Sequence, residues 1–409
     1  MKLKTEQTKS EEEVQDKTGE EITMSEVTID SDTLLVAIKS IMKIISKRST
    51  IPSLDCVKFM YDGDYLKVSG SDLESELTFK LPLEYDSAHY SKKGEFLIEG
   101  KELLAHLNTH KKMALRFVHD KETENIEILS RVDTQKLSAI PFDEYPNSRE
   151  FSENAKEGYI AASTIKEGID KVSYCVAKDE LRPVLNGINF EITKTGISIV
   201  GTDAHSLSFY SCAQESYVAT SFILPKKPML VLSELLKLHS KPTVRSLVLV
   251  KNDDKNVSFE VANNFTLDIR ATEGKYPTFR AVLREKSPIS VETHRKSFLE
   301  AIARVSGAAN KASQLIRLAI KDGFITLSAQ DIDFGRASAE SVHAIIDGND
   351  IEIGFNYVRL TNALKINDFE RVKLLFDEPH RALEIKEKLG DDAELTSLVM
   401  PLTLPPNNA

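Results

Sequence analysis

At 409 residues the chain is longer than one ordinary domain and has room for about three, each with its own core. It is 41% hydrophobic and 28% charged, with no apolar run near the roughly 20 residues that a bilayer crossing requires, and its polar, acidic start lacks a secretory h-region. The formal charge of -10 opposes encounter with phosphate, so nucleic-acid contact would need local basic faces.

Residues 1–25 are rich in Glu, Lys, Thr and Ser, and too poor in apolar side chains to bury a core, so disorder is expected there. The first predicted strand is Val27-Thr28-Ile29, running into a helix from Leu34 to Ser46. Leu34, Leu35, Ile38, Ile41, Met42 and Ile45 form its apolar face, while Lys39, Lys43 and Lys47 recur at i, i+4 on the other side, followed by Arg48. An alternating strand ends at Val68-Ser69-Gly70-Ser71-Asp72, and Phe96 to Lys101 reads as a strand and turn opening a second helix.

The same three landmarks return twice. Tyr159-Ile160 leads into a helix from Ile165 to Ala177, then come Val200-Gly201-Thr202-Asp203 and Phe222 to Lys227. Ile289-Ser290-Val291 leads into a helix from Phe298 to Ala308, then come Leu327-Ser328-Ala329-Gln330-Asp331 and Ile351 to Asn356. The three aspartates lie about 130 residues apart, and a fixed period of this kind reports repeated structural units. Pro and polar residues break the pattern near Tyr145-Pro146-Asn147-Ser148 and from Arg284 to Pro288. The expected organisation is α+β: units at 26–147, 157–285 and 286–404, each with two helices and antiparallel strands, and a tail at 405–409.

Cys56, Cys175 and Cys212 are widely spaced within apolar patterns and form no CxxC pair, so they are read as buried free thiols in a reducing cytoplasm, with no metal site. Asp72, Asp203 and Asp331 invite a catalytic reading, but a repeated strand-end Asp more simply bonds the backbone of its own turn. There is no P-loop, no G-x-G-x-x-G and no nucleophile motif near His205. No catalytic site and no cofactor are expected.

Basic side chains recur on the other predicted helices and loops, among them Lys178, Lys226 and Lys227. Taken singly, these are ordinary solvated faces. Taken together, six helices facing a hole would line it with cations that attract phosphate without reading bases. Six helices at a spacing of about 9 Å leave an opening of only about 7 Å, whereas twelve leave about 24 Å, wide enough for a duplex. Two copies joined head to tail would supply twelve.

The motifs resemble those of the bacterial DNA polymerase III beta subunit, the sliding-clamp family, from about Val27 to Leu404. Arg48 to Leu54 is similar to R-x-T-L-P-I-L, and Ser71-Asp72-Leu73-Glu74 to T-D-L-E. Leu181 to Gly187 resembles R-x-x-L-N-G, and Thr202-Asp203-Ala204-His205-Ser206-Leu207 resembles T-D-G-H-R-L. Glu273 to Arg280 is similar to E-G-x-F-P-D-Y-R, Ile353 to Asn356 to I-G-F-N, and Val399 to Leu404 to V-M-P-M-R-L.

The resemblance implies a cytoplasmic homodimeric ring that encircles duplex DNA and tethers polymerase, clamp loader and repair proteins, with no activity of its own and no membrane contact. It also implies an apolar cleft for short linear peptides between units two and three, at Leu185, Thr202, Ala204, His205, Ser206, Leu207, Pro277, Val282, Arg359, Val399, Met400, Pro401 and Leu402. Ala204 stands where the family has glycine, Ser206 and Thr403 where it has arginine, and Arg359 where it has an apolar or aromatic residue. Arg48 and Arg182 lie in matched motifs and are expected to face DNA, as are Lys39, Lys43, Lys47, Lys178, Lys226 and Lys227. The alternative is a diverged ring scaffold that binds proteins without being loaded on DNA.

Overall fold

The computed structural model describes residues 24–45, 50–62, 65–83, 93–120, 122–123, 125–138, 140–179, 181–216, 218–239, 246–262, 264–284 and 286–404. Lys47, Arg48, most of the N-terminal segment and the tail at 405–409 lie outside them.

One element order is used three times. The first repeat runs β1 (Met24–Asp30), α1 (Ser31–Ile44), β2 (Cys56–Asp62), β3 (Tyr65–Ser71), β4 (Ser75–Pro82), β5 (Lys93–Glu99), α2 (Gly100–Thr109), β6 (Ala114–Asp120), β7 (Asn125–Leu129) and β8 (Thr134–Ser138). The second runs β9 (Lys156–Ala161), α3 (Ala162–Val172), β10 (Gly187–Ile192), β11 (Ile197–Thr202), β12 (Ser206–Cys212), β13 (Thr220–Pro225), α4 (Lys226–His239), β14 (Leu247–Asn252), β15 (Asn256–Val261) and β16 (Phe265–Arg270). The third runs β17 (Ile289–His294), α5 (Arg295–Val305), β18 (Leu315–Lys321), β19 (Phe324–Asp331), β20 (Arg336–Asp347), β21 (Ile351–Asn356), α6 (Tyr357–Lys365), β22 (Arg371–Phe376), β23 (Leu383–Leu389) and β24 (Ala393–Val399).

Local chemistry sets these elements. In α1 the expected apolar stripe is buried at Leu34, Leu35, Ile38, Ile41 and Ile45, with Met42 half-buried, and the Asp30 carboxylate closes the first turn by accepting from Thr33 N at 2.9 Å. The Asn356 side chain caps α6 by accepting from Val358 N and Arg359 N. Each repeat has its own aromatic or aliphatic centre. Phe59 and Phe96 stack at 4.9 Å in the first, Phe190 and Phe222 at 5.3 Å in the second, and Phe298, Ile302, Leu327 and Phe355 pack together in the third.

The residues divide into two compact units, the first holding 49–69 and 80–145 with the start of the chain through Lys39, the second holding 40–48, 70–79 and 146–409. In the first unit β1, β6, β7 and β8 form an antiparallel sheet with β8 at its edge, and β2 pairs with both β3 and β5. In the second, twelve strands run in the order β13-β10-β11-β12-β24-β23-β22-β17-β20-β19-β18-β21. The second and third repeats join within it where β12 pairs with β24, from Ser206 opposite Val399 to Cys212 opposite Ala393. In the same unit β4 pairs with β16, Ser75 opposite Ile269 and Phe79 opposite Phe265. Strand β20 is divided: Arg336 to His343 pair with β19, and Ala344 to Asp347 pair with β17. Along Arg336–His343 the other side has no strand partner among the described residues.

Two expectations change. Cys56 and Cys175 are buried free thiols, but Cys212 is half-buried, because it ends the edge of the β12–β24 pair. Asp72 and Asp203 close turns as expected, but Asp331 does not: it lies within β19, opposite Arg336, and its turn is two residues longer.

Candidate functional site

The turn between β11 and β12, with the strand ends beside it, carries five of the thirteen residues expected in a cleft. Asp203 Oδ1 accepts from His205 N at 2.9 Å and Ser206 N at 2.5 Å, and Thr202 Oγ1 donates to Ser206 O at 2.7 Å. These bonds hold Ala204 at φ 71°, a left-handed conformation that suits glycine better than alanine. His205 and Ala204 are exposed, while Thr202, Ser206 and Leu207 are buried.

The chain end is bound to this turn. Val399 is fully buried opposite Ser206, Met400 N donates to His205 O at 2.8 Å, and Leu402 N donates to Gly354 O at 2.8 Å. A Cβ on Gly354 would lie 2.9 Å from Leu402 O and 2.7 Å from the Leu404 side chain, so only glycine lets β21 approach the segment this closely. Met400 is left 42% exposed, and Pro401 and Leu402 are half-buried.

Below the turn, Leu207 packs with Val200, Phe279 and Leu398, and with the partly buried Phe209, Tyr276 and Leu283. Phe279 begins a 3-10 turn that ends at Val282, which is 53% exposed, and Pro277 just before it is exposed as well. Leu185 is buried in a 3-10 turn (Pro183–Asn186). Met400, Val282 and Pro277 are exposed and Pro401 is half-buried, on segments that continue from the packed floor of Leu207, Phe279 and Leu398.

Sequence reasoning named Leu207 and Val282 and left out Tyr276, Phe279 and Leu398, which supply the floor. Tyr276 and Phe279 were within the quoted motif, so the signal was present. Arg359 Nε lies 3.5 Å from Asp203 Oδ2, half-buried in an ion pair beside this turn.

The basic residues divide into open and occupied. Lys39 and Lys178 are exposed. Lys43 Nζ lies 2.6 Å from Glu234 Oε1 on α4, in an exposed ion pair. Lys227 Nζ is 3.1 Å from Asp72 Oδ2 and also donates to Ile44 O, and Arg182 Nε is 2.8 Å from Asp179 Oδ2. Lys226 is half-buried, and burial, followed by the charge of Lys178, lowers its pKa. Arg48 and Lys47 lie outside the described residues. A cavity of about 540 Å³ lies at the other end of the β12–β24 pair, beside Cys212, Arg280 and Asp392. Among the described residues no group of three or more His, Cys, Asp or Glu is placed to hold a metal ion, and no helix is long and apolar enough to cross a membrane.

Family models for the N-terminal, central and C-terminal domains of the DNA polymerase III beta subunit match residues 25–149, 159–278 and 280–403 in turn. The chain belongs to the DNA polymerase III beta subunit family.

Its relatives in that family include beta sliding clamps of Pseudomonas aeruginosa, 26% identical over 92% of this chain and 99% of the relative, and of Staphylococcus aureus, 26% identical over 93% and 99%. The fold is that of solved beta subunits. A Pseudomonas aeruginosa DnaN sliding clamp bound to griselimycin superposes with a TM-score of 0.84 at 24% identity, covering 93% of this chain and 99% of that one. The beta subunit of Thermotoga maritima gives 0.82 at 23% identity, covering 93% and 100%.

Proposed function

We propose that this chain is a sliding-clamp protomer, two copies of which close head to tail around duplex DNA in the cytoplasm and tether a replicative polymerase and other replication and repair proteins. Units at 26–147, 157–285 and 286–404 are the clamp domains in this reading. The observation that carries it is the way the repeats join. Each inner junction pairs the strand after a repeat's aspartate with the last strand of the following repeat, β4 with β16 and β12 with β24. Continuing the rule leaves one edge at each end of the series, β20 and β8. Two copies satisfy both edges, β20 of each taking β8 of the other, and the heterologous contact closes on itself.

The protein's task in this reading is positional, and it needs no reacting group. Lys39, Lys178 and Lys226, with Lys47 and Arg48, supply phosphate attraction without base reading, so the ring slides. The apolar surface at Met400, Pro401, Val282 and Pro277, over the floor of Leu207 and Leu185, accepts the Leu or Phe anchors of a partner's linear peptide.

The test is mass and topology together. The purified protein should sediment as a dimer and, after loading, remain on nicked circular DNA but slide from the same DNA once it is linearised. A monomer, or equal retention on both forms, would refute the reading.

A further inference from the structure

The two inner junctions, β4 with β16 and β12 with β24, share one backbone. Asp72 N donates to Ser75 O at 3.1 Å and Asp203 N to Ser206 O at 3.2 Å, and the residue after each aspartate, Leu73 or Ala204, sits at φ 71°. Arg270 N donates to Glu74 O as Met400 N does to His205 O, and Thr272 N donates to Ile223 O as Leu402 N does to Gly354 O, all at 2.8 Å. Arg270 therefore holds in the first junction the place that Met400 holds in the second. Pro146 stands where Pro277 does, each directly after a tyrosine of the linker.

The side chains on this common frame differ in kind. Where the second junction sets Leu207 opposite Leu398, packed with Phe279, the first sets Glu76 opposite Asp268, and Ser148 donates to Glu76 Oε1 at 3.0 Å. A cavity of about 300 Å³ lies here, within the second compact unit, lined among others by Leu73, Glu76, Pro146, Arg149, Lys255 and Arg270. Arg149 is fixed in its wall, donating to Asn256 Oδ1 at 2.9 Å and to Leu73 O. Lys255 and Arg270 are exposed. The carboxylate next to Lys255 is taken up by backbone donors, since Asp253 Oδ1 accepts from Lys255 N and Asn256 N and Oδ2 from Ser152 N; Lys255 Nζ has no partner among the described residues. Arg270 lies 3.8 Å from Glu74, with both side chains more than half exposed, a pair too solvated to hold it closed.

We propose that the first junction is a second docking site, for an acidic linear segment of a partner protein whose carboxylates meet Lys255 and Arg270. This rests on the reading of the second junction as a peptide cleft. A floor of Leu207, Phe279 and Leu398 suits Leu or Phe anchors, whereas a floor carrying Glu76 and Asp268 penalises them, because an apolar side chain would cover the carboxylates without bonding to them. Open cations at the rim favour carboxylates in their place, through charge-assisted hydrogen bonds. Leu73, 46% exposed at the tip of the turn, adds an apolar contact beside them. The repeat thus supplies two grooves of one shape and opposite chemistry on each protomer.

Fluorescence anisotropy on the full-length protein tests this with two labelled probes, an acidic hexapeptide of Asp, Glu and Gly and a peptide with Leu and Phe anchors. The acidic probe should bind at low salt, and Lys255→Glu and Arg270→Glu should each weaken it at least tenfold. Both variants should bind the Leu and Phe probe as the unaltered protein does, which also shows that they fold, and Met400→Ala should have the reverse pattern. If the acidic probe fails to bind, or binds the variants equally well, the second site is wrong and the cleft stands. Displacement of the acidic probe by inorganic phosphate or duplex DNA at the probe's own concentration would make this a general anion site and overturn the peptide assignment. Failure of the unaltered protein to bind the Leu and Phe probe would overturn the cleft reading and this inference with it.

Discussion

Asp268 shows how a single residue can work against the fold that holds it. It lies in β16 directly opposite Glu76 of β4. Burial pushes its carboxyl up to about 6, the Glu76 charge acts in the same direction, and the Ser258 hydroxyl bond opposes them. A carboxyl whose pKa is higher in the folded chain than in the unfolded one binds its proton more tightly when folded. Its ionised form therefore costs stability above about pH 6, and the cost disappears as pH falls toward 4. Asp268→Asn should stabilise the protein at pH 7.5, on the order of 1–3 kcal/mol, and give no gain near pH 4. Thermal denaturation at the two pH values checks this, and a gain that does not depend on pH would contradict it. The sequence marks Asp268 only as a polar residue in an alternating strand; its neighbour Glu76 is almost two hundred positions away.

At the scale of elements, the chain end and α1 carry the sharpest expectations. Gly354 lets β21 lie against Leu402 and Leu404, so Gly354→Ala should push this segment outward and weaken binding of a short linear peptide with Leu and Phe anchors at least tenfold, about 1.4 kcal/mol. Fluorescence anisotropy with a labelled peptide measures it, and unchanged affinity would mean that Met400 to Leu402 do not shape the cleft. For α1, the lysine stripe was plain in the sequence, and the pairing of Lys43 with Glu234 was not. Glu234 holds Lys43, so Glu234→Gln should release a cation and steepen the salt dependence of DNA binding by about one counterion, whereas Lys39→Glu should make it shallower. Binding titrations from low to moderate salt decide; equal slopes would place this face away from DNA.

For the whole molecule, ring closure depends on edges rather than on any residue alone. An open edge strand is a liability in a monomer and an asset in a closed ring, which is the physical basis for expecting a dimer that dissociates only on dilution. The retention experiment on circular and linear DNA tests this scale.

The sequence by itself determined the repeat, the order of elements within it, the amphipathic face of α1 and the turn-closing role of Asp72 and Asp203. The repeat shows as a period of about 130 residues, and the others are short-range properties, written in periods of two or 3.6 residues or in hydrogen bonds two or three residues long. Only the tertiary structure decided which cations stay open. Lys43, Lys227 and Arg359 are claimed by acids 191, 155 and 156 positions away. It also assembled one apolar cluster from β11, β12, β24 and the Tyr276–Leu283 segment, and it gave Asp331 a longer turn than those closed by its two counterparts. Such pairings depend on which strands become neighbours, and no local pattern encodes that.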